Sequence, residues 1–390
     1  MIRILIITAL ALCITTQLSA QTIDDALASI VTHNLRLRAL AADNDATLLE
    51  SRADNIIGGP SIEYSPFFEN GKKGLGSSEL IIQQTFDFPT LYRQRREQAA
   101  LDADVRREQY TAALHDILLQ ARLAALDVVR TNQLIDMHRQ RLAETDTILT
   151  LLQRRIEAGD ATSLEVNKAR LTRMAVQQQL AEAEADRAAS LTELQSLNGG
   201  GPVDITQRTF PEYDLAANFD DFLAEACASN ADISAAEANV HARHNELRTS
   251  RQAWLPQLSV GYRRNTDGPI HSHGFLVGAA FPLYSTSARV KAARARQQAA
   301  QQELEAARQE AEDALRLRYA ELLRLHNVLD HSDTALLQET LTLLGRALQH
   351  GQLTALEYYT ETADIYEKLQ AHIDLHSRYA RLFTELHRDL

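Results

Sequence analysis

The sequence predicts a mainly α-helical protein with a small β part, built as two tandem repeats of long antiparallel helices plus a β-hairpin each. The composition is typical of long helices, because 24% of the residues are charged, 45% are hydrophobic and only 6% are aromatic. All eight prolines fall within 60–89, 202–211 and 256–282, so the intervening segments are free to form helices. Two similar glycine-marked breaks, RRIEAGDATSLE and RALQHGQLTALE, lie 192 residues apart.

The N-terminus has the features of an export signal. Arg3 precedes an apolar run over 4–14, and a plausible cleavage sequence, LSA, ends at Ala20. Residues 1–20 are therefore predicted to be a signal peptide. Beyond them no apolar stretch approaches the roughly 20 residues that a membrane-spanning helix needs. Cys227 is the one cysteine left, which excludes an intramolecular disulfide.

The first structural repeat is predicted over 21–201, and a linker over 202–217 follows it. The repeat consists of a helix over about 22–55, a β-hairpin at about 60–88, a long helix over 89–158, a turn at 158–163 and a return helix over 164–197. Pro89 suits the first turn of a helix. The glycine-rich sequence NGGGP ends the return helix.

The second structural repeat is predicted over 218–390 with the same order of elements. It consists of a helix over about 219–252, a β-hairpin at about 255–282, a long helix over 287–349, a turn at 350–354 and a return helix from 355. DFLAEACASN resembles DDALASIVTHN of the first repeat, and the offset between matched segments stays between 192 and 196.

Alternation with a period of two identifies the strands. Ile62, Tyr64 and Phe68 alternate with polar residues in the first hairpin, and Phe275 and Val277 share a face in the second. Each strand is predicted to have about ten residues, the length that crosses a bilayer when tilted. Four strands cannot close a barrel with a lumen, since the smallest membrane barrels need about eight. Several chains must therefore combine their hairpins.

The long helices carry a narrow apolar seam. Hydrophobic residues recur at seven-residue intervals from Leu114 to Ile156, and Tyr359 and Tyr366 keep this interval in the second repeat. An ordinary coiled coil explains the seam by itself but does not explain the strands.

The two glycine-marked breaks predict tight helical turns. Gly159 has the position of a helix-terminating residue in the left-handed conformation. Thr162 and Glu165 then form the pattern of a capping box, in which each side chain bonds the backbone of the other residue. The second break repeats this arrangement, with Gly351 followed by the box over 354–357. Both turns are predicted at the end farthest from the strands, as a second functional end.

These features together resemble the TolC-like outer-membrane efflux protein family. The resemblance rests on the signal peptide, the twofold repeat, the hairpin in each half and above all RRIEAGDATSLEVNKARLTR at the first turn. FDFPTLYRQRREQA, where the long helix begins, is most similar to members that serve cation and drug efflux pumps. The resemblance covers essentially the whole mature chain. The second turn is looser but keeps Gly351, Leu356 and Glu357.

The resemblance implies a homotrimeric channel whose twelve strands form one transmembrane β-barrel in outer-membrane lipid and whose helices form a periplasmic tunnel. The channel is a passive exit duct for substrates that an inner-membrane efflux pump delivers through a periplasmic adaptor protein. Carried over by position, the adaptor-docking turns comprise Arg155, Gly159, Asp160, Ser163, Leu164, Gly351, Thr354 and Leu356. Asp160 and Glu165 could also form an acidic periplasmic constriction that favours cations, although helix capping explains them equally well.

Other classes of function lack support in the sequence. The formal charge of −12 argues against nucleic acid as a partner. No catalytic motif is found, so an enzyme is not predicted. The histidine pairs 241/244, 271/273 and 372/376 lack a carboxylate or cysteine to complete a set, so neither a metal site nor a cofactor is predicted. Two alternatives remain open: a periplasmic adaptor, which would have one helical hairpin, and a structural coiled-coil protein without a channel.

Overall fold

The computed structural model describes residues 22–68, 70–71, 73–215, 218–282 and 286–390, so the predicted signal peptide at 1–20 lies outside the described residues. Helices and an antiparallel pair of strands alternate in the same order in both halves of the chain. The elements are α1 (Ile23–His33), α2 (Leu35–Ala53), β1 (Ser61–Phe67), β2 (Ser77–Phe86), α3 (Pro89–Glu157), α4 (Ser163–Leu197), α5 (Phe219–Ser229), α6 (Ala231–Arg251), β3 (Gln257–Asp267), β4 (Ile270–Ala280), α7 (Thr286–Asp330), α8 (Thr334–Gln349) and α9 (Ala355–Leu386).

The chain divides into two compact units. The first unit contains α1, the second part of α3, α4, α8 and most of α9, within Met1–Asn34, Leu118–Tyr213 and Arg324–Thr384. The second unit contains α2, the first part of α3, α5, α6, most of α7 and all four strands, within Leu35–Ile117, Asp214–Leu323 and Glu385–Leu390. In the described part of the chain, no helix is both long enough and apolar enough to cross a membrane.

The four strands of the second unit form one antiparallel sheet in the order β1-β2-β3-β4. The two hairpins are joined because β2 pairs with β3, so that Ile62, Ile82, Tyr262 and Phe275 stand in one row across the sheet. β1 has 7 residues and is shorter than the ten predicted, whereas the other strands have 10 or 11. Among the residues that the structure describes, strands β1 and β4 each leave one edge unpaired.

Two of the predicted continuous helices, over 22–55 and 219–252, are wrong in one detail, since an asparagine interrupts each. Asn34 is extended, with ψ 120°, and its side-chain amide donates to the Leu197 carbonyl at 2.8 Å. Asn230 is also extended, with ψ 118°, and its side-chain oxygen accepts from the Ile233 N–H at 2.9 Å to cap the next helix. The Asn230 side chain thus replaces a backbone hydrogen bond that a continuous helix would supply, whereas the Asn34 side chain binds the carbonyl of the last residue of α4.

The predicted long helix over 287–349 is likewise divided, into α7 and α8. Asp333 caps the start of α8, and its carboxylate accepts from the Leu336 N–H at 2.9 Å. Beside it, the Ser332 hydroxyl lies 2.9 Å from Nδ1 of His372 on α9. These polar contacts hold the interruption in place without a glycine or a proline.

The predicted linker over 202–217 is fixed to the first unit through its described residues, up to 215. Val203, Ile205 and Phe210 are buried. The side-chain amide of Asn132 on α3 donates to the Ile205 carbonyl at 3.2 Å and to the Gln207 carbonyl at 2.9 Å. This segment is therefore a strap across α3 rather than a free connection.

Candidate functional site

Both long helical runs of the first unit end in the same backbone geometry. Gly159 and Gly351 have positive φ values of 81° and 71°, a conformation that costs glycine little. The Asp160 N–H donates to the Arg155 carbonyl at 2.8 Å, and the equivalent bond of the second turn is 2.9 Å long. Both turns are Schellman motifs, which satisfy the last carbonyls of a helix and reverse the chain.

The return helices both begin with a complete capping box, as the sequence predicts. At the first turn the Thr162 hydroxyl accepts from the Glu165 N–H at 3.3 Å, and the Glu165 carboxylate accepts from the Thr162 N–H at 2.8 Å. At the second turn Thr354 and Glu357 make the same two bonds at 3.2 Å and 2.9 Å. Each turn is thus stabilised on both sides, by a glycine before it and a box after it.

The two turns rest on one hydrophobic core, which draws on four helices. Its buried members are Ile148 and Leu152 of α3, Val166 and Ala169 of α4, Leu348 of α8, and Ala355, Tyr358 and Tyr359 of α9. Because every helix that enters or leaves a turn contributes to this core, the two turns hold a fixed relation to each other.

An electrostatic interaction adds to this link. The pKa of the Glu165 carboxyl is lowered mainly by the hydrogen bond from the Thr162 N–H, against the opposing effect of burial. The Thr162 hydroxyl, the backbone N–H of Ala355 in the second turn and the charge of Arg155 lower it further. Glu165 therefore accepts hydrogen bonds from Thr162, and the Ala355 N–H of the second turn further stabilises its charged form. The pKa of Glu357 is lowered too, by hydrogen bonds from its own cap residue Thr354.

The predicted docking residues lie on these two turns and are largely accessible. Gly159, Asp160, Ser163, Leu164, Gly351, Thr354 and Leu356 are exposed, and Arg155 is half-buried. Two large apolar side chains stand in solvent, with exposed fractions of 68% for Leu164 and 46% for Leu356. Of the two carboxylates predicted to form a constriction, Glu165 is held by capping bonds, whereas Asp160 is exposed.

A network beside the turns was not predicted from the sequence. The Tyr366 hydroxyl donates to the Glu144 carboxylate at 2.6 Å, and the Arg141 guanidinium lies 4.5 Å from the centroid of the Tyr366 ring. Burial, and then the charge of Glu144, raises the pKa of Tyr358 to about 12. These tyrosines line a groove of 960 Å³ between α3, α8 and α9. The heptad interval identifies Tyr366 as a seam residue, but no local signal identifies Glu144 as its partner.

Within the described ranges, no group of three or more histidine, cysteine, aspartate and glutamate side chains is placed to hold a metal ion.

Structural comparison places the fold among outer-membrane channels. A membrane protein from Pseudomonas aeruginosa is similar, with a TM-score of 0.77 at 19% identity over 94% of this chain and 89% of that one. CusC gives 0.71 at 18% identity over 93% and 90% of the two chains. The open state of the MtrE outer membrane channel of Neisseria gonorrhoeae gives 0.77 at 15% identity over 94% and 88%. At these identities the similarity establishes the fold.

Sequence comparison establishes the family. No curated protein sequence matches the chain at a significant level. The family described as outer membrane efflux protein, however, matches over residues 25–200 and 222–388, which is most of the chain. The match favours the channel over the two alternatives, the adaptor and the structural coiled coil. The chain belongs to the outer membrane efflux protein family, the outer-membrane channel components of tripartite efflux systems.

Proposed function

We propose that three copies of the chain form one channel with a shared 12-stranded β-barrel in the outer membrane. The helices extend into the periplasm, where the two turns dock onto a periplasmic adaptor protein. The adaptor links the channel to an inner-membrane pump. Family membership supports the channel. The observation that carries the docking proposal is the pair of matched turns, each with an exposed leucine, on a single core.

The sheet supports a shared barrel because its two faces have opposite character. Phe275 and Val277 on one face have exposed fractions of 93% and 82%, and the same face carries Ile62, Ile82 and Tyr262.

The edges of the sheet also support a shared barrel. Strands β1 and β4 have open edges, which favour pairing with another chain. Pairing β1 of one copy with β4 of the next satisfies both edges, and three copies give twelve strands around a threefold axis.

Glycines on the opposite, polar face support curvature toward that face. A Cβ at Gly261 would lie 2.6 Å from the Ile82 carbonyl oxygen, and one at Gly278 would lie 2.6 Å from the Ser259 hydroxyl. Side chains converge on the concave side of a curved sheet, so small residues there permit bending. The polar face is therefore the one that suits a water-filled lumen.

The first unit offers matching surfaces for contacts between copies. On α4, Leu171 and Met174 are exposed, and on α8, Leu336 and Leu343 are exposed one heptad apart. Leucines at this spacing form coiled-coil seams when a partner helix covers them. We assign α4 of one copy and α8 of the next to a shared seam in the periplasmic tunnel.

The docking role is assigned to the exposed parts of both turns. Leu164 and Leu356 supply apolar anchors, while Arg155, Asp160, Ser163 and Thr354 supply polar groups on the same two turns. A central apolar contact with a polar rim is the usual layout of a protein interface. In a trimer, three copies of Asp160 form an acidic ring at the periplasmic mouth, with Glu165 behind them, and such a ring favours cations.

Cysteine crosslinking tests the shared barrel. Ile62 and Phe275 lie on β1 and β4 of one chain, three strand spacings apart, about 14 Å. A disulfide within the chain is excluded at that distance. In a background where Cys227 is replaced by serine, cysteines placed pairwise along both edges should give covalent trimers from outer-membrane preparations. A monomer in the soluble periplasmic fraction, with no crosslink at any register, would overturn the proposal.

A further inference from the structure

Charges are segregated between the two faces of the sheet. The structure describes all four strands completely, and their carboxylates, Glu63, Glu79 and Asp267, all lie on the polar face. Arg263 lies on that face too and forms an ion pair with Glu79. The apolar face therefore has no carboxylate on any strand.

The apolar face nevertheless carries one arginine. Arg264 pairs across the sheet with Leu80 on one side and His273 on the other, two residues beyond the row of Ile82, Tyr262 and Phe275. Arg264 is exposed. It thus stands about 7 Å from that row along the strand, toward the hairpin loops, in a row that also contains Tyr64 and Leu80.

Two histidines complete this cluster. His273 lies beside Arg264, and His271 follows on the same face of β4, opposite Thr266. Both rings are exposed. The Tyr262 and His273 ring centroids are 6.3 Å apart, and His271 Nδ1 lies 3.3 Å from the Thr266 hydroxyl. Imidazole rings can donate hydrogen bonds, and a guanidinium can donate two to one phosphate.

We propose that Arg264, His271 and His273 form a binding surface for the phosphate groups of lipid headgroups. The proposal rests on the proposed function, in which the apolar face contacts lipid. The apolar rows lie in the hydrocarbon region, and the hairpin-loop end reaches the headgroup level, where Arg264 extends its charged end outward. The absence of carboxylates from this face removes any competing intramolecular partner on the strands.

Lipid retention tests the proposal with a closely matched control. The full-length trimer is placed in nanodiscs of mixed phosphatidylcholine and phosphatidylglycerol, and native mass spectrometry counts the lipids of each kind that stay bound. Wild type is expected to retain phosphatidylglycerol preferentially. Arg264→Gln should lower that preference about fivefold, since one arginine near an anionic surface contributes about 1 kcal/mol. Arg264→Lys should keep most of it.

Arg263→Gln is the control, because it removes the same charge one residue away on the opposite face. It should leave the preference unchanged. Equal retention by wild type and Arg264→Gln, or an equal loss in both glutamine variants, would overturn the proposal while leaving the channel intact. Loss of the preference on adding inorganic phosphate would also overturn it, because the site would then bind free phosphate. A wild-type protein that does not enter nanodiscs would contradict the proposed function itself.

Discussion

The backbone N–H of Ala355 in the second turn helps to lower the pKa of the Glu165 carboxyl in the first, so one carboxylate interacts with both turns. Glu357, which occupies the equivalent position in the second turn, is held by its own cap residue Thr354. The two turns are therefore alike in local geometry and different in their connections. Because of this difference, the contribution of helix capping to stability can be measured separately from that of the interaction between the two turns.

Replacing Glu165 should lower the free energy of unfolding more than replacing Glu357 does. Glu165→Ala removes a cap and the interaction with Ala355, and we expect it to lower the free energy of unfolding by about 1 kcal/mol or more. Glu357→Ala removes only a cap and serves as the control. Denaturant unfolding followed by circular dichroism checks both variants. Equal losses would show that the interaction with Ala355 does not contribute.

The same carboxylate predicts a dependence on pH. The pKa of Glu165 is lowered in the folded protein, so its contribution is fully present above the unfolded-state pKa, about 4.3. The contribution is lost as the pH falls through the folded-state pKa. The difference in melting temperature between wild type and Glu165→Ala should therefore be constant near neutral pH and shrink below about pH 4. A difference that grows on acidification would contradict this assignment.

The first turn should be essential for docking but not for assembly. Leu164→Asp places a charge on the exposed apolar anchor, and Gly159→Pro replaces a φ of 81° with a residue fixed near −65°. We expect both variants to form heat-modifiable trimers in the outer membrane and to abolish efflux. Gln177→Asp adds the same charge at an exposed position of α4 away from the turn, and it should transport normally. Normal transport by the first two variants, or failure to assemble, would contradict the docking role.

Removing the hydroxyl group should raise the stability of the protein at one tyrosine of α9 and lower it at another. In the described part of the chain the buried Tyr359 hydroxyl has no hydrogen-bond partner, so Tyr359→Phe should raise the free energy of unfolding by about 1 kcal/mol. Tyr366 donates to Glu144, so Tyr366→Phe should lower it by about 2 kcal/mol. Chemical denaturation of both variants measures the two values. A loss of stability in Tyr359→Phe would contradict the assignment of an unpaired hydroxyl group to Tyr359.

Two glycines of the polar sheet face provide a matched pair. A Cβ at Gly261 would approach the Ile82 carbonyl to 2.6 Å, whereas one at Gly274 meets no atom within 4 Å. Gly261→Ala should cost about 1–3 kcal/mol through the forced shift of neighbouring backbone. Gly274→Ala should have little effect. The temperature at which the trimer dissociates on heating checks both, and equal temperatures would show that crowding at position 261 is relieved at no cost.

The capping boxes at both turns could be predicted from sequence because each is determined within four residues. Glycine, threonine and glutamate at fixed spacing define the backbone without reference to the rest of the chain. The alternating strands could be predicted for the same reason. The docking role of Leu164 and Leu356 follows from the family resemblance and remains a proposal.

The remaining features depend on contacts between distant segments. The break at Asn34 requires the Leu197 carbonyl, and the link between Glu165 and Ala355 joins residues 190 positions apart. The pairing of β2 with β3 joins two hairpins that are separate in sequence. Local patterns contain no information about such partners, so the alternation predicts two hairpins, and only the family resemblance implies their union in one sheet.

The strap over α3 has a consequence for protein engineering. Its buried side chains and the two bonds from Asn132 fix the chain between the halves in place. Coexpression of the halves as separate polypeptides should therefore succeed only when the cut falls after the anchored stretch, which extends to Tyr213, whose ring packs against those of Tyr379 and Phe383. A cut before Val203 would leave the apolar side chains of this segment on the C-terminal fragment, separated from α3, and would favour precipitation.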